Sequence, residues 1–280
     1  MTHLPLREPD NDLIPLVRSA SSEDLRILVE YLHNVFNEDL SSVPEFKKQN
    51  PQASKKIYDG DHRLYADDIA AEIQRYGGNT FANIFRGGKG VPYIEVVRDV
   101  ADQLKVNYNS NADVATIEHQ IQMKVLEKAY EQMSEEERAQ LLKELGVSIT
   151  SSIPSALPVI AIQGAIRLGG FAAYKIALII ANAVAKALIG RGLSFALNRA
   201  LTQVVKVFVG PVGLAVTAVW TLVDLAGPAY RVTIPCVMQI AYMRQEGLVT
   251  FCPQCGEPQK STSKFCSSCG AQSHRACVGS

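Results

Sequence analysis

Two cysteine pairs carry the clearest chemistry in the chain. Cys252-Pro253-Gln254-Cys255-Gly256 and Cys266-Ser267-Ser268-Cys269-Gly270 are CxxC turns separated by ten residues. A structural zinc ion takes four thiolate or imidazole ligands at tetrahedral corners, and two CxxC turns supply such a set. The glycine after each second cysteine lets the backbone turn so that its amides face the sulfurs. The intervening residues are too few to form a core, so a metal must stand in for one. Structural zinc at Cys252, Cys255, Cys266 and Cys269 is therefore expected. A catalytic zinc is disfavoured because four thiolates leave no open position. Disulfides would need an oxidising compartment, and an iron–sulfur site would need flanking residues this segment lacks. His274 and Cys277 lie just beyond the second pair as weaker substitutes. Cys236 reads as a small buried apolar residue.

No other constellation supports catalysis. The five histidines have no paired metal-binding spacing, and no serine sits on a nucleophile elbow. Asp67-Asp68 with Glu72 would share a helix face, which is commonplace near a helix start. The glycine-rich stretch from Tyr76 to Gly90 fails as a phosphate loop, because Lys89 is followed by Gly90 rather than Ser or Thr. It reads as a helix stop at Gly77-Gly78, a short helix capped by Asn79 or Thr80, and a second stop at Gly87-Gly88. The less favoured alternative is a headgroup- or ligand-binding loop using Arg86 and Lys89. The expectation is a protein that is not an enzyme and has no identifiable small-molecule substrate.

The elements that would position these residues are helical. Leu25, Leu28, Val29 and Leu32 follow Ser21-Ser22 at helical spacing. A second helix spans about Tyr65 to Tyr76, and a third follows Pro92 with Tyr93, Val96, Val97, Val100 and Leu104 on one stripe. A fourth runs from Asp113 to about Met133. Ser134 with Glu137 makes a capping box for a fifth. The fold class expected is all-α: a multi-helix bundle with a long apolar helical segment and a small C-terminal zinc ribbon. By composition the chain divides into residues 1–150, an acidic helical domain; 151–246, an apolar cationic segment; and 247–280, the ribbon.

Charge sharpens that division. The 280 residues carry 28 basic and 28 acidic side chains, but residues 1–150 hold 17 basic against 25 acidic and residues 151–280 hold 11 against 3. Unequal halves suggest different partners for each. Hydrophobic content of 47% excludes a disordered chain. The N-terminus has no basic start followed by an apolar core, so no signal peptide is expected and a reducing, cytoplasmic location is favoured.

The apolar segment admits two readings. From Leu157 to Ile189, 24 of 33 residues are apolar. On one helix, Arg167, Lys175 and Lys186 would share a flank, as would Arg191, Arg199 and Lys206 after the Gly190–Gly192 break. Apolar helices with a narrow cationic stripe lie on anionic lipid or insert on demand. Ile176, Leu178, Ile179, Ile180 and Val184 would then face the membrane. So would Leu214, Val216, Val219, Trp220, Leu222 and Val223, beyond a turn at Gly210–Gly213. Asp224 would be the buried group most sensitive to pH. Under the other reading these are core helices of a soluble bundle. The stretch is too apolar, and its charges too sparse, for nucleic acid to be expected as a partner.

Tyr76-Gly77-Gly78-Asn79, Ala82-Asn83, Arg86-Gly87, Lys89-Gly90, Tyr93, Asp99-Val100 and Leu104-Lys105 resemble the YaaW-type proteins, a bacterial family. The likeness resumes at Gly210–Gly213 and is strongest from Ala229 to Pro235. It covers most of residues 10–246, and the ribbon is a departure from the shorter members. Some members have been likened to the ubiquinol–cytochrome c chaperone domain, a helical assembly factor. The resemblance implies a helical fold and carries no reaction.

Two functions are expected on these grounds. The first is a non-enzymatic protein with a sheltered apolar hairpin that inserts into anionic membranes, pore-forming in the manner of a colicin, with inducible association at the inner membrane. The second is a soluble helical assembly chaperone or adaptor whose zinc ribbon recruits a partner protein or nucleic acid.

Overall fold

The computed structural model describes residues 6–34, 61–77, 90–148, 152–167, 171–190, 228–256, 258–260, 263–266 and 269–272. The first helices are α1 (Ile14–Ser19), α2 (Ser22–Asn34) and, after a 3-10 turn at His62–Tyr65, α3 (Ala66–Tyr76). They are followed by α4 (Tyr93–Gln103), α5 (Val114–Glu131) and α6 (Glu135–Glu144). Local chemistry sets their starts. The Asp113 carboxylate accepts from the Thr116 amide at 2.7 Å, and Ser134 with Glu137 completes the expected capping box. The stripe of Tyr93, Val96, Val97 and Val100 is buried, as its spacing requires.

The apolar segment forms α7 (Val159–Arg167) and α8 (Ala172–Ile189), and α9 (Pro228–Glu246) follows. Every residue from Ile176 to Ala185 is buried, because this stretch of α8 carries no charge and is apolar at every position but Asn182. Among the described residues α8 is the one helix long and apolar enough to cross a membrane. Here it packs against α9, α5 and α2, while α9 also meets α3 and α4. Pro235 neither starts nor ends a helix; α9 begins at Pro228 and runs through it.

This packing revises the division at residue 150. Leu13 to Val147, Leu157, Ile162, Ala172 to Ala185 and Val232 to Met243 contribute to one hydrophobic core. The boundary is one of composition and not of packing, since helices from both sides bury their apolar faces against each other. The stripe of Arg167, Lys175 and Lys186 is corrected as well. α7 ends at Arg167 and α8 begins at Ala172, with two consecutive glycines in the intervening sequence, and glycine disfavours helix. The three residues therefore do not lie on one helix. Beyond α9, β1 (Val249–Phe251) and β2 (Pro258–Lys260) form an antiparallel hairpin pairing Val249 with Lys260 and Phe251 with Pro258.

Candidate metal centre

α9 stops where the sequence supplies a glycine. The Gly247 amide donates to the Met243 carbonyl at 3.0 Å, and the Leu248 amide to Gln245 at 3.1 Å. The chain then enters β1 and reaches the first cysteine. Gly256 and Gly270 adopt φ of +74° and +72°, a conformation side chains resist. Their amides donate to the carbonyls of Cys252 and Cys266 at 2.8 and 3.0 Å, closing two equivalent turns. A bridge between Phe265 and Gln272 holds the second turn, and the Cys266 amide donates to the Ala271 carbonyl at 2.7 Å.

These turns bring the four sulfurs within 4.8 Å of one another. Cys252 and Cys269 lie 3.6 Å apart, as do Cys255 and Cys266. A tetrahedron of thiolates at a metal–sulfur distance of about 2.3 Å has edges of about 3.8 Å, so the cluster has the dimensions of a metal-binding set. The first cysteine of each pair is buried and the second exposed, and all four are thiols rather than disulfides. The Cys255 backbone amide, aimed at the Cys252 sulfur, draws that thiol below its usual range, while the Cys269 thiol that contacts it is pushed up. The sulfurs leave no corner for a substrate. His274 and Cys277 lie outside the described residues.

The module leans on the bundle through one strand. Val249 and Phe251 pack against the core, and the Phe251 ring meets Tyr174 of α8 edge-on at 6.1 Å between centroids. Tyr174 in turn lies 6.1 Å from Tyr242 of α9, whose hydroxyl donates to the Glu246 carboxylate at 2.7 Å.

The other candidate residues are not assembled into a second site. Ile176, Leu178, Ile179, Ile180 and Val184 sit in the core, against α9, α5 and α2, rather than on a lipid-facing surface. Lys175 is half-buried, its ammonium donating to the Glu144 carbonyl at 2.8 Å at the end of α6 and lying 3.8 Å from the Glu144 carboxylate. It is therefore engaged inside the molecule and not part of a solvent-facing stripe. Lys186 is exposed. The Arg167 side chain, Arg191, Arg199, Lys206, Arg86 and Lys89 lie outside the described residues, as do Asp224 and the apolar positions Leu214, Val216, Val219, Trp220, Leu222 and Val223. Asp67 pairs with Arg18 at 2.7 Å and Glu72 with Arg75 at 3.3 Å, so these carboxylates serve structure.

Sequence reasoning missed a buried polar network among α3, α4, α5 and α9. The Asp10 carboxylate accepts from the Tyr93 amide at 2.8 Å and from the Gln74 side-chain amide at 2.9 Å. Glu118, on the core side of α5, accepts from the Arg244 guanidinium at 2.8 Å and from the Tyr93 hydroxyl at 2.9 Å. Burial pushes the Glu118 carboxyl above its usual range, and the Arg244 guanidinium offsets this only in part. Arg244 also donates to the Asp12 carbonyl at 2.9 Å. The available signal was a Glu and an Arg standing among largely apolar residues of their helices, since a buried charge needs a partner. Gly77 and Gly90 answer to packing. A methyl on Gly90 would lie 2.0 Å from the Gln74 carbonyl carbon, and one on Gly77 would lie 2.3 Å from Val96.

The chain resembles proteins of several bacteria. It is 40% identical over 241 residues to a UPF0174 protein of Helicobacter pylori, covering 84% of this chain and 91% of the relative. A second UPF0174 protein of Helicobacter pylori is 35% identical over 212 residues. That match spans 97% of the relative but 74% of this chain, leaving about a quarter of the chain beyond it. The UPF0174 protein YaaW of Escherichia coli is 28% identical over 186 residues, 66% of this chain and 73% of the relative. No family model and no solved structure matches the chain.

Proposed function

The chain belongs to the UPF0174 family, and we propose that it is a non-catalytic adaptor: a helical body carrying a zinc-binding module that engages a protein partner. The observation that carries this reading is the closed cluster of Cys252, Cys255, Cys266 and Cys269, which suits metal retention and offers no open coordination position. Zinc is the metal assigned because a tetrahedral four-thiolate set of two CxxC turns suits it, iron being the competing occupant of such a set. Reduced thiols suit a reducing compartment, in keeping with a cytoplasmic protein. Beside the second cysteine pair, the Phe265 side chain is 62% exposed, an apolar group suited to burial against a partner.

The test compares the purified protein with Cys266→Ser, Phe265→Ser and, as a control at a distant exposed apolar residue, Leu64→Ser. Elemental analysis should find one zinc per wild-type chain; iron in its place would overturn the assignment of the metal. In-cell crosslinking should capture a protein that the wild type and Leu64→Ser retain and both module variants lose. An identical captured set for all four forms would sink the adaptor reading.

A second reading is favoured by α8, which has the length and composition of a span and carries Lys175 and Lys186 within its first and last turns. Here the apolar helix is sheltered until released onto an anionic membrane. Dye-loaded vesicles of anionic lipid test it. Absence of both binding and leakage at neutral and mildly acidic pH would exclude this behaviour.

A further inference from the structure

The module holds few buried apolar side chains of its own, so the positions of its strands depend on the metal. Phe251 is the residue immediately before the ligand Cys252, and its partner across the hairpin is Pro258. Fixing Cys252 therefore fixes Phe251. The Phe251 ring lies against Tyr174, which is buried in the first turn of α8 and also contacts Tyr242. The next residue, Lys175, ties the same turn to the last carbonyl of α6. The N-terminal end of the most apolar helix is thus held from one side by α6 and from the other by the residue adjoining a metal ligand.

We propose that the metal centre is a latch on α8, with Phe251 as the bolt: metal binding locks the first turns of the apolar helix into the core, and metal loss releases them. The inference rests on the four-thiolate reading of the module. Coupling through Phe251 and Tyr174 must be reciprocal, so packing against α8 tightens metal binding by the same factor that metal binding protects α8. Phe251 is a positioning residue in this scheme, since it touches no metal.

Hydrogen exchange on the full chain, with and without a zinc chelator, measures the first side of the coupling. Amides of residues 172–180 should exchange at least tenfold faster once the metal is removed, alongside the expected loss of protection at 249–272. Phe251→Ala should keep one zinc per chain by elemental analysis, exchange in α8 as the metal-free wild type does, and give up its zinc to a competing chelator at least tenfold more readily. Phe251→Leu, which keeps an apolar side chain at the contact, should restore most of both effects and guards against a misfolded alanine variant. Unchanged exchange at 172–180 on metal removal overturns the latch while leaving the metal site intact. Equal zinc affinity in wild type and Phe251→Ala overturns it as well. A wild-type chain that binds no metal overturns both the latch and the adaptor reading beneath it.

Discussion

In the helical body, ten consecutive residues of α8, Ile176 to Ala185, are buried among the surrounding helices. In the four-cysteine module, only Cys252, Pro258, Gln259 and Cys266 are buried among the described residues. Both regions must offset the conformational entropy of an ordered chain, roughly 1–2 kcal/mol per residue of backbone. The body does so with apolar area, while the module has so little that, on the four-thiolate reading, a bound ion would have to supply the difference. Order in the body is spread over many contacts, whereas in the module it converges on one centre. The same kind of damage should therefore be graded in one region and all-or-none in the other.

The largest effect is expected where order converges. Cys266→Ser should lose the metal and the ordered structure of residues 249–272 together, since structural zinc contributes about 10–16 kcal/mol in small modules. The helical signal of the body should largely survive. Elemental analysis with circular dichroism checks this, and collapse of the helical signal would show that the two regions are not separable in this way. Next comes the buried charge of the body. Glu118→Ala strands the Arg244 guanidinium and should cost about 3–5 kcal/mol in thermal or urea unfolding, whereas Glu118→Gln should cost less by keeping acceptors for Arg244 and Tyr93. Gly90→Ala forces a methyl into the Gln74 backbone and should cost about 3 kcal/mol by the same measurement, with zinc content unchanged.

The smallest effect concerns pH at the joint between the regions. Burial, with the nearby Asp24 carboxylate, raises the Glu246 carboxyl above its usual range, and burial raises Asp24 too. Glu246 ends α9, where the helix dipole further disfavours a negative charge. The folded state holds these protons more tightly than the unfolded chain does. Their contribution to stability is greatest below the unfolded carboxylate value, about 4, and fades as pH rises through the folded values. Glu246→Gln should therefore raise the melting temperature at pH 7 and lose that advantage near pH 4. A variant less stable than wild type at pH 7 would mean that Tyr242 requires the ionised partner.

What could be read from the sequence follows the range of the interaction. The helix start near Asp113, the capping box at Ser134, the stripe on α4 and the cysteine turns are set by residues within a few positions, and all of them appear as expected. The apolar character of Ile176 to Val184 was equally plain. Its meaning was not, because a bilayer and a protein core select the same side chains, and only the packing of α8 against α9 and α5 distinguishes them. The division at residue 150 misled for a related reason, since composition changes there while the core runs through it. Lys175 looked like a surface charge because the Glu144 carbonyl that receives it is 31 residues away. The pairing of Glu118 with Arg244 spans 126 residues and left only an isolated charge on each apolar face.

That last distance has a consequence for how the molecule is made. Arg244 also holds the Asp12 carbonyl, across 232 residues, so one side chain near the end of the body fastens a segment near its beginning. During synthesis at about 5–20 residues per second, roughly 6–25 s separate the appearance of Glu118 from that of Arg244. Throughout that interval Glu118 lacks its guanidinium partner and has only the Tyr93 hydroxyl to meet it on a face destined for the interior. The early helices therefore have reason to stay loosely associated, with Glu118 in water, until α9 arrives.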